Sequence, residues 1–349
     1  MTRIAAARSA LPPHRHPQAD LAEMTAELCA IPAAKRGLLN RLYANAGVAT
    51  RHTVLPLADY KRLDGLGPTN DLYIEHATAL GERAIRLALR DAGIAPAEVD
   101  LLVVTSVTGV AVPSLDARLI PRLGLRPDVK RVPMFGLGCV AGAAGLSRIH
   151  DYLLAWPQHT AVLLSVELCS LSIPLVDADV SDLVVSALFG DGAVAVAVRG
   201  AGAAAGGPRI VATRSEVCPD SNDVLGWRLG AEGFRIILTT ELADVVSRHL
   251  GTAVRTFLAE RGLTTDDVQT WMCHPGGPKV IDAVRDCLGL SESALATARE
   301  SLSEVGNLSS ASVLHVLEKT AAGRPTPGSH GLLVGLGPGV SIELVLIEW

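Results

Sequence analysis

Two segments separated by 169 residues carry one pattern, and this repeat constrains the fold more than any other feature. ALRDAGIAPAEVDLLVV, from Ala88, set against FLAERGLTTDDVQTWMC, from Phe257, places Leu89 over Leu258, Gly93 over Gly262, Ile94 over Leu263 and Val99 over Val268. Each copy reads as a helix end, a glycine stop and a buried strand. Leu123-Gly124-Leu125 recurs as Leu288-Gly289-Leu290 at a spacing of 165, and Gly138-Cys139 answers Gly306-Asn307 at 168. Two copies of one α/β unit packed face to face bring equivalent loops together near a pseudo-twofold axis. The spacing therefore predicts that Cys139 and Asn307 start equivalent helices and share a pocket. The flexible run GAGAAAGGP at 200–208 divides an N-terminal half, 1–200, from a C-terminal half, 201–349.

Between these landmarks helix alternates with strand, which predicts an α/β fold. Helices are expected over 20–46, 72–92 and 114–123, and strands over 101–105, before Gly136 and over 161–166. A further helix is expected after Cys139. A strand pair is expected over 187–198, turned at Gly190, Asp191 and Gly192. With 349 residues, 49% of them hydrophobic, the chain can bury about 75% of its unfolded surface.

The stretch 131–151, RVPMFGLGCVAGAAGLSRIHD, runs from an apolar strand through Gly136 and Gly138 to Cys139 and then into a helix. A thiol at a helix N-terminus meets unpaired N–H groups and the positive end of the helix dipole, which favour its thiolate. Read alone, Cys139 is equally a small buried hydrophobe. His274, in TWMCHPGGPKVID, stands opposite Thr105 at the spacing of 169 and so lies at a carboxyl strand end, where open α/β sheets place their sites. Asn307, after a glycine in EVGNLSSASVLHVL, is by itself a plain helix cap. Together a thiol, an imidazole and an amide suit thioester chemistry: a nucleophile, with two groups that hold it and then donate to an enolate or oxyanion. No carboxylate base is needed if the carbanion arises by decarboxylation.

Charge and cysteine usage narrow the partners. Net charge is −5 and the basic residues form no face or tail, which argues against nucleic acid and anionic membrane and for small molecules or protein. The six cysteines contain no C-x-x-C pair, so neither a disulfide framework nor a zinc site is expected, and the compartment reads as reducing. The N-terminal run is too short for a signal peptide, and Glu167 and Asp191 interrupt the longest apolar segments. A soluble cytoplasmic protein without a membrane span is expected.

GLGCVAGAAGLSR, ALFGDGA, WMCHPGGPKVID, GNLSSASVL and GLGPGV, in this order, resemble the type III polyketide synthases, the chalcone synthase-like branch of the thiolase-fold condensing enzymes. The resemblance implies a homodimer of five-layered αβαβα subunits. Such an enzyme loads an acyl group from acyl-CoA, extends it with malonyl-CoA and cyclises the product with no metal, cofactor or carrier protein. It assigns the acyl-carrying cysteine to Cys139 and the catalytic histidine and asparagine to His274 and Asn307. The gatekeeper phenylalanine falls on Phe189, a second pocket phenylalanine on Phe234, and the cyclisation-pocket loop on 335–339.

Arg41, Lys279 and Gly276 match CoA-binding positions, although Asn45 stands where plant members have lysine. Val112 stands where the plant enzymes place a methionine that reaches into the partner subunit's chamber. Ser172, Leu225 and Ser309 match further lining positions. Small Ser172 and an aromatic content of 3% suggest room for a long aliphatic starter, and VTGVAVPSLDARLIPRLGL resembles the bacterial alkylresorcinol and alkylpyrone synthases. The alternatives are an initiating ketoacyl-carrier-protein synthase, against which HPGG argues, and a cysteine hydrolase of thioesters.

Overall fold

The computed structural model describes residues 2–172, 179–203, 206–230 and 233–349; Ala204 and Ala205, in the joint at 200–208, lie outside the described residues. The first half runs β1 (Arg3–Ala10), β2 (His14–Pro17), α1 (Gln18–Leu28), α2 (Ala33–Asn45), β3 (Thr50–Thr53), α3 (Leu66–Ala92), β4 (Leu101–Thr105), α4 (Leu115–Leu123), β5 (Lys130–Met134), α5 (Ala141–Ala155), β6 (Thr160–Leu168), α6 (Val180–Leu188) and β7 (Asp191–Arg199). The second runs β8 (Arg209–Val217), β9 (Leu225–Gly230), β10 (Gly233–Leu238), α7 (Leu242–Ala259), β11 (Val268–Cys273), α8 (Pro278–Leu288), α9 (Ala296–Val305), α10 (Ser312–Ala322), β12 (His330–Gly337) and β13 (Ser341–Glu348).

Nine strands join in the order β11-β12-β13-β8-β1-β7-β6-β4-β5. Read outward from the middle, β1-β7-β6-β4 is mirrored by β8-β13-β12-β11, and the two series meet where Arg3 lies opposite Arg209. The period of two along each strand sorts its side chains between layers. Val162, Leu164 and Val166 of β6 face the cluster formed with Ala77, Ala84 and Ile85 of α3. Ala161 and Leu163 face inward, to Leu146 and Ile149 of α5 and Val313 and Leu314 of α10. In the second half Leu332 and Val334 of β12 pack with Val246, Leu250 and Phe257 of α7 and Ile281 of α8, while Leu333 turns inward. Thus α3 and α4 cover one face, α7 and α8 the other, and α5 and α10 fill the middle: five layers, αβαβα, in a thiolase-like fold.

The central layer closes through small residues. A Cβ on Gly142 of α5 would lie 2.2 Å from the Ser310 carbonyl oxygen, and one on Gly145 2.5 Å from Leu163 Cδ1. Gly142→Ala is therefore expected to destabilise the protein by about 1–3 kcal/mol, read from its urea midpoint, as overpacking does; an unchanged midpoint would mean that the helix seam is loose.

Three sequence expectations need correction. The helix expected over 20–46 is two, because Pro32 caps α2 and a proline disfavours helical backbone in the residue before it. The strand pair expected over 187–198 is instead the end of α6, an extended Phe189 bridged to Asn307, and the single strand β7. The apolar pair Ala187-Leu188 is too short to show a period, and the Asp179 carboxylate, accepting from the Asp182 N–H at 2.9 Å, starts the segment that holds it as a helix. The helix starts themselves align at 171, Gly138 with Ser309 and Ala141 with Ser312, so Ser310 is the counterpart of Cys139. The glycines that suggested 168 do different work: Gly138 (φ +55°) bends the cysteine turn, whereas Gly306 (φ +74°) ends α9.

Candidate active site

The cysteine turn is shaped from two sides. Gly136 (φ +91°) and Gly138 take backbone angles that L side chains resist. The loop 335–339 presses against them: a Cβ on Gly138 would lie 2.5 Å from the Pro338 ring, and one on Gly337 2.6 Å from the Val140 nitrogen. Cys139 is thereby held buried in the first turn leading to α5, with Sγ 3.5 Å from Ser309 Oγ. Burial pushes the thiol up to about 12; the Ser309 hydrogen bond opposes this and the Glu167 carboxylate adds to it. The hydrogen-bond partner of the sulfur is thus a hydroxyl, not the imidazole expected from sequence.

His274 follows the last residue of β11, and its backbone N–H donates to the Val334 carbonyl of β12 at 2.9 Å. The ring is buried, Nδ1 has no hydrogen-bond partner, and burial pushes the imidazole down to about 4. The loop after it folds back, so that a Cβ on Gly276 would stand 3.6 Å from His274 Nε2.

Asn307 lies in the bridge between α9 and α10. Its N–H donates to Leu188 O at 2.8 Å and its carbonyl accepts from Gly190 N at 3.0 Å, pairing it with Phe189. Its side-chain Oδ1 accepts from Ser309 N at 2.8 Å and Ser312 Oγ at 3.1 Å, which leaves the Nδ2 end to donate toward Gly276 O at 3.4 Å. Ser309 sits at φ +50°, a strained angle that its bond to Asn307 helps to hold. One continuous path therefore links Cys139, Ser309, Asn307, Gly276 and His274.

The other expected residues divide into two groups. Phe189 is buried beside Asn307, and Leu225 on β9 is tied to the glycine loop, its carbonyl accepting from Gly339 N at 3.1 Å. Phe234 on β10 meets Trp227 edge-on at 6.1 Å and Phe135 at 6.5 Å. Ser172 Oγ donates to the Thr108 carbonyl at 2.9 Å. Val112 is 96% exposed, and Arg41 and Lys279 stand exposed on α2 and on the first turn of α8. Those helix ends adjoin, since a Cβ on Gly47 would touch Pro278 at 3.0 Å.

Sequence reading missed Glu167, which is wholly buried at the end of β6. It accepts from Thr108 Oγ1 at 2.9 Å, Val107 N at 3.1 Å, Ser106 Oγ at 3.2 Å and Ser310 Oγ. Burial pushes its carboxyl up while these donors pull it down. Its signal is an acid inside the apolar run AVLLSVEL, where by sequence it does no more than interrupt a membrane span. Among the described residues no three His, Cys, Asp or Glu side chains gather as metal ligands would, and no helix is long and apolar enough to cross a membrane.

His274 gives stability a sign against pH. Its folded value lies below the ordinary 6.5, so as pH falls from about 6.5 toward about 4 the unfolded chain takes up a proton that the buried ring refuses, and stability drops. His274→Gln is expected to lose less stability than the parent between pH 7 and pH 5 in urea titrations; equal losses would place the ring in water.

The sequence profile of chalcone and stilbene synthases matches the chain twice, the N-terminal domain over residues 2–203 and the C-terminal domain over 209–348. A 1,3,6,8-tetrahydroxynaphthalene synthase of Streptomyces peucetius is 54% identical, covering 100% of this chain and 93% of its own. A 3,5-dihydroxyphenylacetyl-CoA synthase of Amycolatopsis orientalis is 32% identical over 89% of this chain and 85% of its own. The crystal structure of 1,3,6,8-tetrahydroxynaphthalene synthase from Streptomyces coelicolor A3(2), described as a bacterial type III polyketide synthase, superposes with a TM-score of 0.94. It has 30% identity, and the match covers 99% of both chains.

Proposed function

Since the chain belongs to the chalcone and stilbene synthase family, the type III polyketide synthases, we propose that Cys139 carries the growing polyketide and that His274 and Asn307 stabilise the enolate made from malonyl-CoA. The observation that carries this reading is the fixed sense of the Asn307 amide: two donors occupy Oδ1, so its N–H groups face the His274 loop.

As the starter thioester arrives, Cys139 Sγ attacks its carbonyl, the bond to CoA sulfur breaks, and the thiol proton passes by way of His274 to the departing CoA. An imidazole held neutral by burial can accept that proton and then serve as a donor. When malonyl-CoA loses CO2, the electron pair of the broken C–C bond moves onto the thioester oxygen, where Asn307 Nδ2 and a His274 N–H donate to it. The carbanion then attacks the acyl-Cys139 carbonyl, the bond to Sγ breaks, and the lengthened chain, now a CoA thioester, is taken up again by Cys139 with release of CoA for the next round.

For the product, a ten-carbon naphthalene with hydroxyls on alternate carbons is what five two-carbon units provide, so malonyl-CoA can serve as both starter and extender. The relative at 54% identity supports a tetrahydroxynaphthalene-type product over the alkylresorcinol or alkylpyrone expected from sequence. Phe234, an expected pocket position, stands in an aromatic cluster with Trp227 and the 58% exposed Phe135, and rings of this kind stack on a flat intermediate better than on an alkyl chain.

The exposure of Val112 supports a homodimer in which that side chain enters the partner's chamber, and exposed Arg41 and Lys279 suit CoA phosphates. The six free cysteines fit a cytoplasmic setting. Mass spectrometry of products from malonyl-CoA alone, against malonyl-CoA with a long-chain acyl-CoA, tests the assignment. A tetrahydroxylated naphthalene from malonyl-CoA alone is expected; an alkylated resorcinol or pyrone formed only with the acyl-CoA would restore the aliphatic reading.

A further inference from the structure

Beside Phe189 lies a buried arginine to which the reaction above gives no step. Arg51, on β3, donates through Nη1 to two carbonyls at the end of α6, Ser186 O and Phe189 O, both at 2.6 Å. Its Nε donates to Gln18 Oε1 at 3.1 Å, and Gln18 Nε2 in turn donates to Ala187 O at 2.7 Å. The last carbonyls of a helix have no partner inside it, so a guanidinium placed there supplies what the helix cannot. The remaining carbonyl of this run, Leu188 O, accepts from the Asn307 N–H. Residues 186–190 are therefore held on one side by Arg51 and Gln18 and joined on the other to Asn307.

The arginine stem reaches the same place. A Cβ on Gly306 would lie 2.9 Å from Arg51 Cδ and one on Gly190 3.6 Å from it, so the stem packs against the glycines flanking Asn307 and Phe189. Arg51 also borders a cavity of about 30 Å³ with Thr25, Tyr60, Ser170 and Phe189. Its Nη2 is buried without a partner, a cost carried where a neutral side chain would carry none.

We propose that Arg51 is a positioning residue that sets the Phe189 backbone and the Asn307 amide as one unit, so that the gate to the chamber and the enolate donor keep a fixed relation. This rests on the role given to Asn307 above. Lysine, with a point charge in place of a planar fork, cannot span both carbonyls and Gln18.

Arg51→Met, which keeps the stem and removes the donors, and Arg51→Lys test it. Malonyl-CoA decarboxylation is expected to fall about tenfold or more in Arg51→Met, as a misplaced donor allows, with Cys139 loading changed less than about threefold and Arg51→Lys intermediate. Amide hydrogen exchange, which needs no substrate, is expected to quicken at both Gly190 and Asn307. Unchanged exchange at these two amides, or equal loss of loading and decarboxylation, would overturn the proposal. If Arg51→Met does not fold, Gln18→Met carries the same comparisons at smaller size. Parent protein unable to decarboxylate malonyl-CoA would count against the function of Asn307, while the exchange readout still decides the role of Arg51.

Discussion

Cys139→Ala is expected to remove product formation by at least about a thousandfold, the scale on which loss of a covalent nucleophile is felt. In the proposed mechanism only the sulfur takes the acyl group. The neighbouring Ser309 hydroxyl, 3.5 Å from Sγ, sits on a strained turn at φ +50°. Because Cys139 is surrounded by the glycine loop and the first turn before α5, trimming one atom leaves the turn in place, so the variant should fold and still bind CoA thioesters. Intact-mass measurement with acyl-CoA checks the step: an adduct on the parent and none on the variant. Activity within tenfold of the parent would remove the sulfur from the mechanism.

Asn307→Ala is expected to lower malonyl-CoA decarboxylation by about 10²–10³-fold, the effect of deleting one oxyanion donor, with loading of Cys139 reduced only a few-fold. Alanine also strands the Ser309 N–H and the Ser312 hydroxyl, which now end on Oδ1, so some lost stability accompanies the lost rate. Asn307→Asp separates the two effects. It keeps an acceptor for both donors and should hold stability near the parent's, yet it places a carboxylate where an enolate must form and should decarboxylate no faster than Asn307→Ala. Decarboxylation and loading falling together in both variants, measured by CO2 release and by acyl-enzyme mass, would show a scaffold role.

The duplication was legible because glycine stops and buried strands repeat in one order, and that order sufficed to foresee two copies of one α/β unit packed face to face; the five layers came from the family resemblance. Cys139, His274 and Asn307 were legible because each stands where an element ends, beside a glycine or proline that marks the end. What resisted reading has a common cause: it depends on contacts across the chain. The 168 spacing matched two glycines with different tasks, and only the packing of α5 on α10 gives 171. The run SDLVVSAL ends in the apolar pair Ala187-Leu188, too short for its period to separate helix from strand, and the Asp179 cap that starts the helix lies eight residues upstream.

Electrostatics were the least legible. From sequence a helix terminus and an imidazole argue for a thiolate at Cys139, whereas burial, measurable only in the fold, holds both Cys139 and His274 toward their neutral forms. Glu167 and Arg51 are ionisable side chains inside the core; the apolar run AVLLSVEL marks Glu167 as buried, whereas nothing local in the sequence separates Arg51 from an arginine on a solvated edge.

In the proposed mechanism every chain length passes through one sulfur, that of Cys139. Parent protein given malonyl-CoA, quenched within a turnover and digested, should yield the Cys139 peptide carrying a ladder of two-carbon increments. A Cys139 peptide that stays unmodified while product accumulates, or one that carries a single acyl group released only as free acid, would contradict it.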